Sequence, residues 1–554
     1  MEKIKNYFAA MNREKALKLV ILVIAAVGII FACGYFGINC FDLTKSKKYN
    51  LYFAIILIMM IGTTVYLARF IVTDKEWSYT KVFLVLAIGW SFVAQLAMPP
   101  ISGADEVGHY YSAYHCSNIM LGMKDHDLNT DTSNLGSFVE GQSWYYMRSE
   151  DYVWLPYIDV TFPYQYEILS NNDWFSCSED GKTLVQVYEP PAKASRYLIS
   201  ATGITIARLL GWGFSATVFM GRFMNTLFYI FMCLICLKLL PIGKLQLVSF
   251  ALMPTVLELC NSYSYDNMSI LFSIFLLSVC LYFAKSDVKL HAWHLIVIGA
   301  SAAILLPNKT VYVMFVFWFF LIPMKKWWTD VVKSKKWWEY ATLAVIFAGA
   351  AVVLRKLIVK YYYQILQATV WKRAERAVID QDASRGSYTW EYMTKHPLET
   401  LKFTWEGIKV DWWYNIKHVI GCELGHVRLN MEVPLACTVL LLVILIAGLV
   451  VSRGKRLKKW QYAALAVGLI ACLVSIFIGC LTRFTPAEGS ERVQISYRYL
   501  IPLYMALCIG LGTDEKENKK AMTLLLCQNV VLIFAMCGVL EFLFHLRDGM
   551  PAPF

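Results

Sequence analysis

Charge is scarce in this sequence. Asp, Glu, Lys and Arg together make 17% of 554 residues, while 58% are hydrophobic. Soluble domains run nearer a quarter charged and half apolar. The shortage excludes a cytosolic enzyme, a disordered chain and a secreted disulfide scaffold. No small-residue cleavage site follows the first apolar run, so no cleavable signal peptide is expected. No internal repeat is visible, which counts against a transporter built from inverted repeats. Acids are outnumbered: 52 Lys and Arg against 40 Asp and Glu leave a net charge of +12. In a membrane protein such a surplus marks cytoplasmic loops rather than nucleic-acid binding. The 15 cysteines lie mostly inside apolar runs and read as small buried hydrophobes.

Apolar length is what the chain has in excess. A crossing takes about 20 mostly apolar residues. Runs of that kind fall at 18–39, 51–72, 81–98, 216–240, 245–261, 267–284, 292–306, 309–324, 340–358, 433–452, 461–481, 497–512 and 521–545. They predict an all-α polytopic membrane protein of about 11–13 transmembrane helices with large extracytoplasmic loops. Its sections are N-terminal helices over 1–98, a first outer loop over 99–215, and central helices over 216–358. A second outer segment covers 359–432, and C-terminal helices cover 433–554.

Orientation follows from basic residues in short loops. Lys3, Lys5, Arg13, Lys15 and Lys18 precede the first span, and Lys325, Lys326, Lys333, Lys335 and Lys336 follow the eighth. Arg453, Lys455, Arg456, Lys458 and Lys459 follow the tenth, and Lys516, Lys519 and Lys520 the twelfth. All four groups fall on one side, which is taken as cytoplasmic, although Lys45, Lys47 and Lys48 then lie outside. Trp327, Trp328, Trp337 and Trp338 form an interfacial belt at the inner face.

Span three stops at Met98-Pro99-Pro100, because proline ends helices. Asp105-Glu106 follows at headgroup depth, where the phosphate of a lipid-linked substrate would lie. If a helix begins there, Asp105 and His109 share a face. A plainer reading is a capping box, Ser102-x-x-Asp105, with Asp105 reaching back to a backbone N–H; Glu106 fits that reading less well. Asp125-His126-Asp127 has the look of a metal-binding acid pair, but so short a tripeptide reads better as a solvated loop. Tyr197–Leu210 is amphipathic and flanked by Arg196 and Arg208, as an interfacial helix would be.

Arg222, Lys309, Arg483, Arg492 and Arg498 lie at the outer ends of spans. Any one could snorkel. As a set facing the acid pair, they suit a phosphate headgroup. Asp266, in a polar turn, could hold a sugar hydroxyl or a cation. The aromatic, mixed-charge segment Trp390–Tyr414 reads mainly as interfacial helix. Cys116–Cys177 is the simplest bridge within the outer loops.

The arrangement resembles the GT-C superfamily of membrane glycosyltransferases. More narrowly, it resembles a bacterial family of predicted membrane proteins regarded as GT-C-like. The stretches that carry the resemblance are Pro99-Pro100 with Asp105-Glu106 and His109, Met253-Pro254 through Ser264-x-Asp266, and Leu306-Pro307-x-Lys309 with Tyr312 and Pro323. His396-Pro397-Leu398-Glu399 and Val493-Gln494-x-x-Tyr497-Arg498-Tyr499-Leu500-Ile501-Pro502 complete the set. The chain has Tyr497 where a Gly would be expected.

The resemblance implies transfer of a sugar from a polyprenyl-phosphate donor to a cell-envelope glycan or lipid-linked acceptor on the outer face of a bacterial plasma membrane. Asp105 would be the base, Glu106 its partner or alternative, and His109 would orient the acid. Lys309, Arg498 and Arg222 would bind the donor phosphate. Asp266, Gln494 and Tyr197 would contact substrate. A divalent cation is compatible and not required.

Two rivals stay open. A polymerase or ligase using a pyrophosphate-linked donor needs the same groups. A lipid-linked glycan flippase would need ionisable residues near span centres, where Glu258, Arg355 and Lys356 come nearest.

Overall fold

The computed structural model describes residues 13–41, 47–73, 75–103, 105–123, 143–152, 173–178, 180–187, 194–334, 336–345, 355, 388, 393, 395–426, 429–483, 485, 492–493, 495–514 and 517–548. The protein is an all-α polytopic membrane protein. Helix α1 (Arg13–Tyr35) runs into a π-helical turn, Phe36–Cys40. Helices α2 (Lys47–Thr73) and α3 (Tyr79–Ala97) follow. The Ser78 hydroxyl accepts the Lys81 N–H at 3.3 Å and starts α3. Extended Met98 and the two prolines, which lack an N–H, end it.

Next come α4 (Glu106–Met120), α5 (Leu198–Leu209) and α6 (Phe214–Leu239). Between α4 and α5, strands β1 (Ser143–Arg148) and β2 (Lys182–Val187) pair antiparallel, with Ser143 opposite Val187. Arg148 pins this ribbon. It donates to both oxygens of buried Asp151, at 2.7 and 3.0 Å, and to the Thr217 hydroxyl on α6 at 2.8 Å.

The run at 245–261, expected as one span, is two short helices, α7 (Lys244–Ala251) and α8 (Pro254–Cys260). Pro254 cannot donate to the preceding turn and Met253 is extended, so the helix breaks there. Hydropathy could not show this, because both pieces are buried all round. Helices α9 (Asp266–Lys285) and α10 (Ala292–Asn308) follow.

Thr310–Leu321 winds as a 3₁₀ helix. At about 2.0 Å per residue its twelve residues reach about 24 Å, most of a hydrocarbon core. It then bends by 76° into 324–332. Of the run expected at 340–358, only 340–345 and 355 are described.

The C-terminal part comprises α11 (Pro397–Ile420), the hairpin β3 (Glu423–His426) and β4 (Leu429–Glu432), then α12 (Leu435–Val451) and α13 (Lys459–Arg483). A 3₁₀ turn, Tyr497–Leu500, leads into α14 (Ile501–Leu511), and α15 (Lys519–Asp548) is the last of the described helices. Among the described residues seven helices are long and apolar enough to cross a membrane, or eight counting the bent 310–332 pair. Helices α10, α12 and α14 are shorter apolar elements at expected spans, so among the described residues eleven apolar elements stand at expected spans.

Helix α15 packs against α1, α2 and α12. Asn529 on α15 accepts the Trp90 indole N–H of α3 at 2.8 Å and donates to the Thr64 hydroxyl of α2 at 2.9 Å. At one end of the bundle, Lys285 donates to the Arg456 carbonyl, Lys326 to the Phe283 carbonyl, and Lys519 to Glu14. The opposite end carries the C-termini of α3, α8 and α10 and the N-termini of α4, α9 and α14.

Helix α11 exposes Leu398, Leu401, Trp405 and Trp412 on one face, with Lys402 and Lys409 along its edge. It packs against α12, whose Leu435, Val439, Leu440 and Val443 are also exposed. That is the pattern of a helix lying in the bilayer interface. With Trp405 and Trp412 changed to Phe in nanodiscs, the emission lost is expected to be that fraction quenched by brominated lipid. If the lost emission is instead quenched only by iodide, the helix faces water.

Candidate functional site

The loop between α3 and α4 is strained where its chemistry lies. Ile101 (φ 65°) and Asp105 (φ 58°) are the non-glycine residues with left-handed backbone among those described. Such conformations are unfavourable, and for a β-branched residue like Ile101 they are true outliers. Asp105 stands at the start of α4 and makes no side-chain cap. Its Oδ2 accepts a hydrogen bond from Arg498 Nη2 at 3.0 Å, with the Asp105 side chain 61% exposed and that of Arg498 only 17%.

The capping box expected at Ser102-x-x-Asp105 does not form. The Ser102 hydroxyl donates to the Pro99 carbonyl at 2.6 Å. Glu106 makes the backward reach instead, its Oε2 accepting the Gly103 N–H at 2.8 Å. Its Oε1 accepts the Tyr263 N–H at 2.9 Å. Glu106, expected as partner or alternative base, is a buried brace between the α3–α4 loop and the α8–α9 turn, with both oxygens taken by backbone N–H groups. Tyr263 is anchored in turn: its hydroxyl donates to the Val218 carbonyl at 2.8 Å, across a surface left open by Gly221. A Cβ on Gly221 would come within 2.2 Å of that hydroxyl.

The turn so fixed delivers Asp266 to the start of α9. Asp266 is buried between two cations, with Oδ1 ion-paired to Lys309 and Oδ2 lying 3.7 Å from Arg498 Nη1. Four residues from distant parts of the chain thus alternate in sign: Asp105, Arg498, Asp266, Lys309. Their formal charges cancel, which eases the burial of Arg498, Asp266 and Lys309 beside the exposed Asp105. Lys309 Nζ also lies over the rings of Tyr499, at 4.0 Å, and Tyr265, at 5.5 Å. Arg196 stacks over Tyr265 at 4.9 Å and donates to the Pro307 carbonyl, tying the start of α5 to the end of α10.

His109, expected to orient the acid, directs Nδ1 to the Tyr197 hydroxyl at 2.8 Å, and its ring meets Tyr265 edge-on. Burial pushes its pKa down to about 4, against the pull of Asp266 and Asp105. Tyr197, expected to contact substrate, is itself buried, and burial raises its pKa. Because His109 is neutral in the folded protein while an unfolded histidine titrates near 6.5, the unfolded state binds more protons between these values. Stability should therefore fall as pH drops from about 6.5 to about 4, by up to roughly 3 kcal/mol. Equilibrium unfolding of His109→Gln across that window should lack this component; an unchanged pH dependence would exclude His109 as its source.

Arg222, expected among the phosphate-binding cations, is spent on backbone. Its Nε donates to the Asn261 carbonyl at 2.9 Å and its Nη atoms to the Met98 carbonyl at 3.3 and 3.4 Å. It clamps α3 to the α8–α9 turn. Arg492 pairs with Asp411 at 3.0 Å, and Arg208 donates to Ser117 and Asn118 at 3.0 and 2.8 Å. Gln494 and Asp125-His126-Asp127 lie outside the described residues, as does the side chain of Arg483. Cys116 and Cys177 are free thiols rather than a bridge. Cys116 is buried in the α4 core, and Cys177 hydrogen-bonds to Glu150. Among the described residues no three His, Cys, Asp or Glu side chains converge to hold a metal ion.

Sequence reasoning missed Tyr265 and Tyr499, whose rings border Lys309, and Tyr263. Tyr265 adjoins Asp266, Tyr499 adjoins Arg498 and Tyr263 lies three residues before Asp266, but tyrosine is too common in this chain to signal anything by itself. It also missed the Arg148–Asp151 pair, which holds the β1–β2 ribbon.

Compared with known proteins, residues 83–507 match the model of a family described as a predicted membrane protein, DUF2142. No curated protein matches, and no solved structure matches.

Proposed function

The chain belongs to the DUF2142 family of predicted membrane proteins, and for it we propose glycosyl transfer from a polyprenyl-phosphate sugar to a cell-envelope glycan or lipid-linked acceptor, with the wider architecture that of the GT-C superfamily. One observation carries the proposal: an exposed carboxylate, Asp105, held on a left-handed turn against a largely buried Arg498 that also neighbours Asp266. A base, and cations for a phosphate leaving group, are what this reaction requires.

The acceptor hydroxyl attacks the anomeric carbon, the bond from that carbon to the phosphate oxygen breaks, and Asp105 takes the hydroxyl proton. Polyprenyl phosphate leaves with the bonding electron pair, stabilised by Arg498 and Lys309. An incoming phosphate competes with Asp105 for Arg498. Donor binding therefore releases the carboxylate that the reaction then uses. Asp266 keeps the two cations in place while that exchange happens. The site stands at the end of the bundle away from Lys285, Lys326 and Lys519, so the positive-inside rule supports an extracytoplasmic site in the plasma membrane.

The test is reconstitution in proteoliposomes with polyprenyl-monophosphate sugars and an envelope lipid extract. Label should pass to the extract and polyprenyl phosphate should accumulate. Consumption of pyrophosphate-linked oligosaccharide alone would move the assignment to a polymerase or ligase. Movement of intact donor across the bilayer with no bond cleaved would make the protein a flippase.

A further inference from the structure

Two polar groups beside the chain of Asp105, Arg498, Asp266 and Lys309 have no part in the reaction just proposed. The first is the Tyr265 hydroxyl. Tyr265 is half-buried in the turn that delivers Asp266. The rings of His109 and Tyr197 meet it edge-on, with centres 5.0 and 6.1 Å away. Arg196 and Lys309 lie over it, at 4.9 and 5.5 Å from its centre. A ring so surrounded offers a sugar little to stack on. Its hydroxyl is different: it makes no hydrogen bond among the described residues and is not sealed from solvent.

The second group is the guanidinium of Arg196, which ends the 3₁₀ turn Ala194–Arg196 and is half-buried. Its Nε donates to the Pro307 carbonyl. Its two Nη nitrogens have no acceptor among the described residues. A guanidinium with open N–H groups suits a phosphate or carboxylate.

Charge narrows the ligand further. Asp105 and Asp266 match Arg498 and Lys309. Arg196 adds a positive charge that pairs with no carboxylate among the described residues. The electrostatic neighbours of the Tyr265 hydroxyl are Asp266, Arg196, Arg498 and Asp105, so it stands close both to the unmatched cation and to the matched chain. Burial pushes its pKa up to about 12, so it keeps its proton and can donate. A cationic ligand would be repelled by Arg196, and a neutral one would leave that charge unmatched. A singly charged anion balances the site, and the phosphodiester of a polyprenyl-phosphate sugar is such an anion.

We propose that Arg196 and the Tyr265 hydroxyl are further donors to the phosphate of the polyprenyl carrier, held beside Arg498 and Lys309. That the phosphate belongs to a sugar carrier rests on the glycosyl-transfer reading. The two residues came from distant parts of the chain, and neither is a cation at the end of a span, so local charge did not single them out as a pair.

Tyr265→Phe is a clean probe, because the hydroxyl it deletes bonds nothing in the described protein. Arg196→Lys keeps the charge and loses the planar array of N–H groups. The ligands are farnesyl phosphate, a short polyprenyl monophosphate, and farnesol, its uncharged counterpart, titrated calorimetrically into the purified full-length protein. The wild type should bind farnesyl phosphate more tightly than farnesol. Each variant should weaken farnesyl phosphate about tenfold, the scale of one hydrogen bond to a charged group, with farnesol unaffected. Unfolding of ligand-free Tyr265→Phe should match the wild type.

Wild-type affinity for farnesyl phosphate in either folded variant overturns the inference and leaves glycosyl transfer standing. Equal weakening of farnesyl phosphate and farnesol also overturns it, since that is a lost fit for the hydrocarbon and not for the phosphate. If Arg196→Lys does not fold, Tyr265→Phe decides alone. A wild type that does not prefer farnesyl phosphate to farnesol overturns the inference as well. Phosphate binding that both variants weaken, in a wild type that transfers no label, upholds this subsite and overturns glycosyl transfer.

Discussion

Asp105→Asn should slow sugar transfer about a thousandfold while leaving the protein folded and its donor bound, since a positioned general base contributes about 10²–10⁴. The substitution separates chemistry from shape. Asparagine is, after glycine, among the residues that best tolerate the left-handed backbone Asp105 adopts, φ 58°. Its amide oxygen can still accept from Arg498 Nη2, so the turn and the cation stay where they are. What disappears is the ability to take a proton.

Glu106→Gln makes the opposite experiment. Both Glu106 oxygens meet backbone N–H groups, from Gly103 and Tyr263. A glutamine NH₂ must face one of those donors, leaving a buried N–H unsatisfied at about 1–3 kcal/mol. Glu106→Gln should therefore unfold earlier and lose rate through a loosened loop, whereas Asp105→Asn should lose rate alone. Single-turnover transfer and thermal unfolding of the two variants decide between them. Full activity in Asp105→Asn would end its assignment as base.

Lys309→Met is expected to be the most destabilising single change at the site, by about 3–5 kcal/mol, because it strands a buried carboxylate. Asp266 and Lys309 are both nearly sealed from solvent, and Arg498 stands farther from Asp266, at 3.7 Å. Removing both charges together, in Asp266→Leu with Lys309→Met, should recover most of that stability, as replacement of whole buried pairs tends to do. Transfer should not recover, because the phosphate would still lack a cation and Arg498 its second acid. The check is a double-mutant cycle read by unfolding midpoint and by transfer rate. Recovery of both would make the pair a structural ornament. Recovery of neither would mean that the pair shapes the α9–α10 contact in ways its charges do not explain.

The architecture was legible in the sequence wherever it depended on long apolar runs. The helical, polytopic class follows from them, as does the end of α3 at Pro99-Pro100. Asp105, Asp266, Lys309 and Arg498 were each singled out by charge at a span end, and the folded chain brings them together. Their division of labour was not legible. Whether Asp105 or Glu106 turns inward depends on the Tyr263 N–H, which arrives from a turn 157 positions later. Arg222 looked like the other cations in every local respect. Only the position of the Met98 and Asn261 carbonyls diverts it. The break between α7 and α8 escaped because periodicity needs a polar face, and these helices have none. The 3₁₀ winding of 310–321 escaped because its residues are apolar at every phase.

Helix α15 has a bearing on biogenesis. It lies beyond the region matched to the family and is made after the helices it joins, yet Asn529 links the Trp90 indole of α3 to the Thr64 hydroxyl of α2. Until α15 enters the bilayer, the Trp90 indole N–H waits in hydrocarbon without its acceptor. A chain halted before residue 519 would thus leave Trp90 and Thr64 unlinked, and α1, α2 and α12 without the helix they pack on.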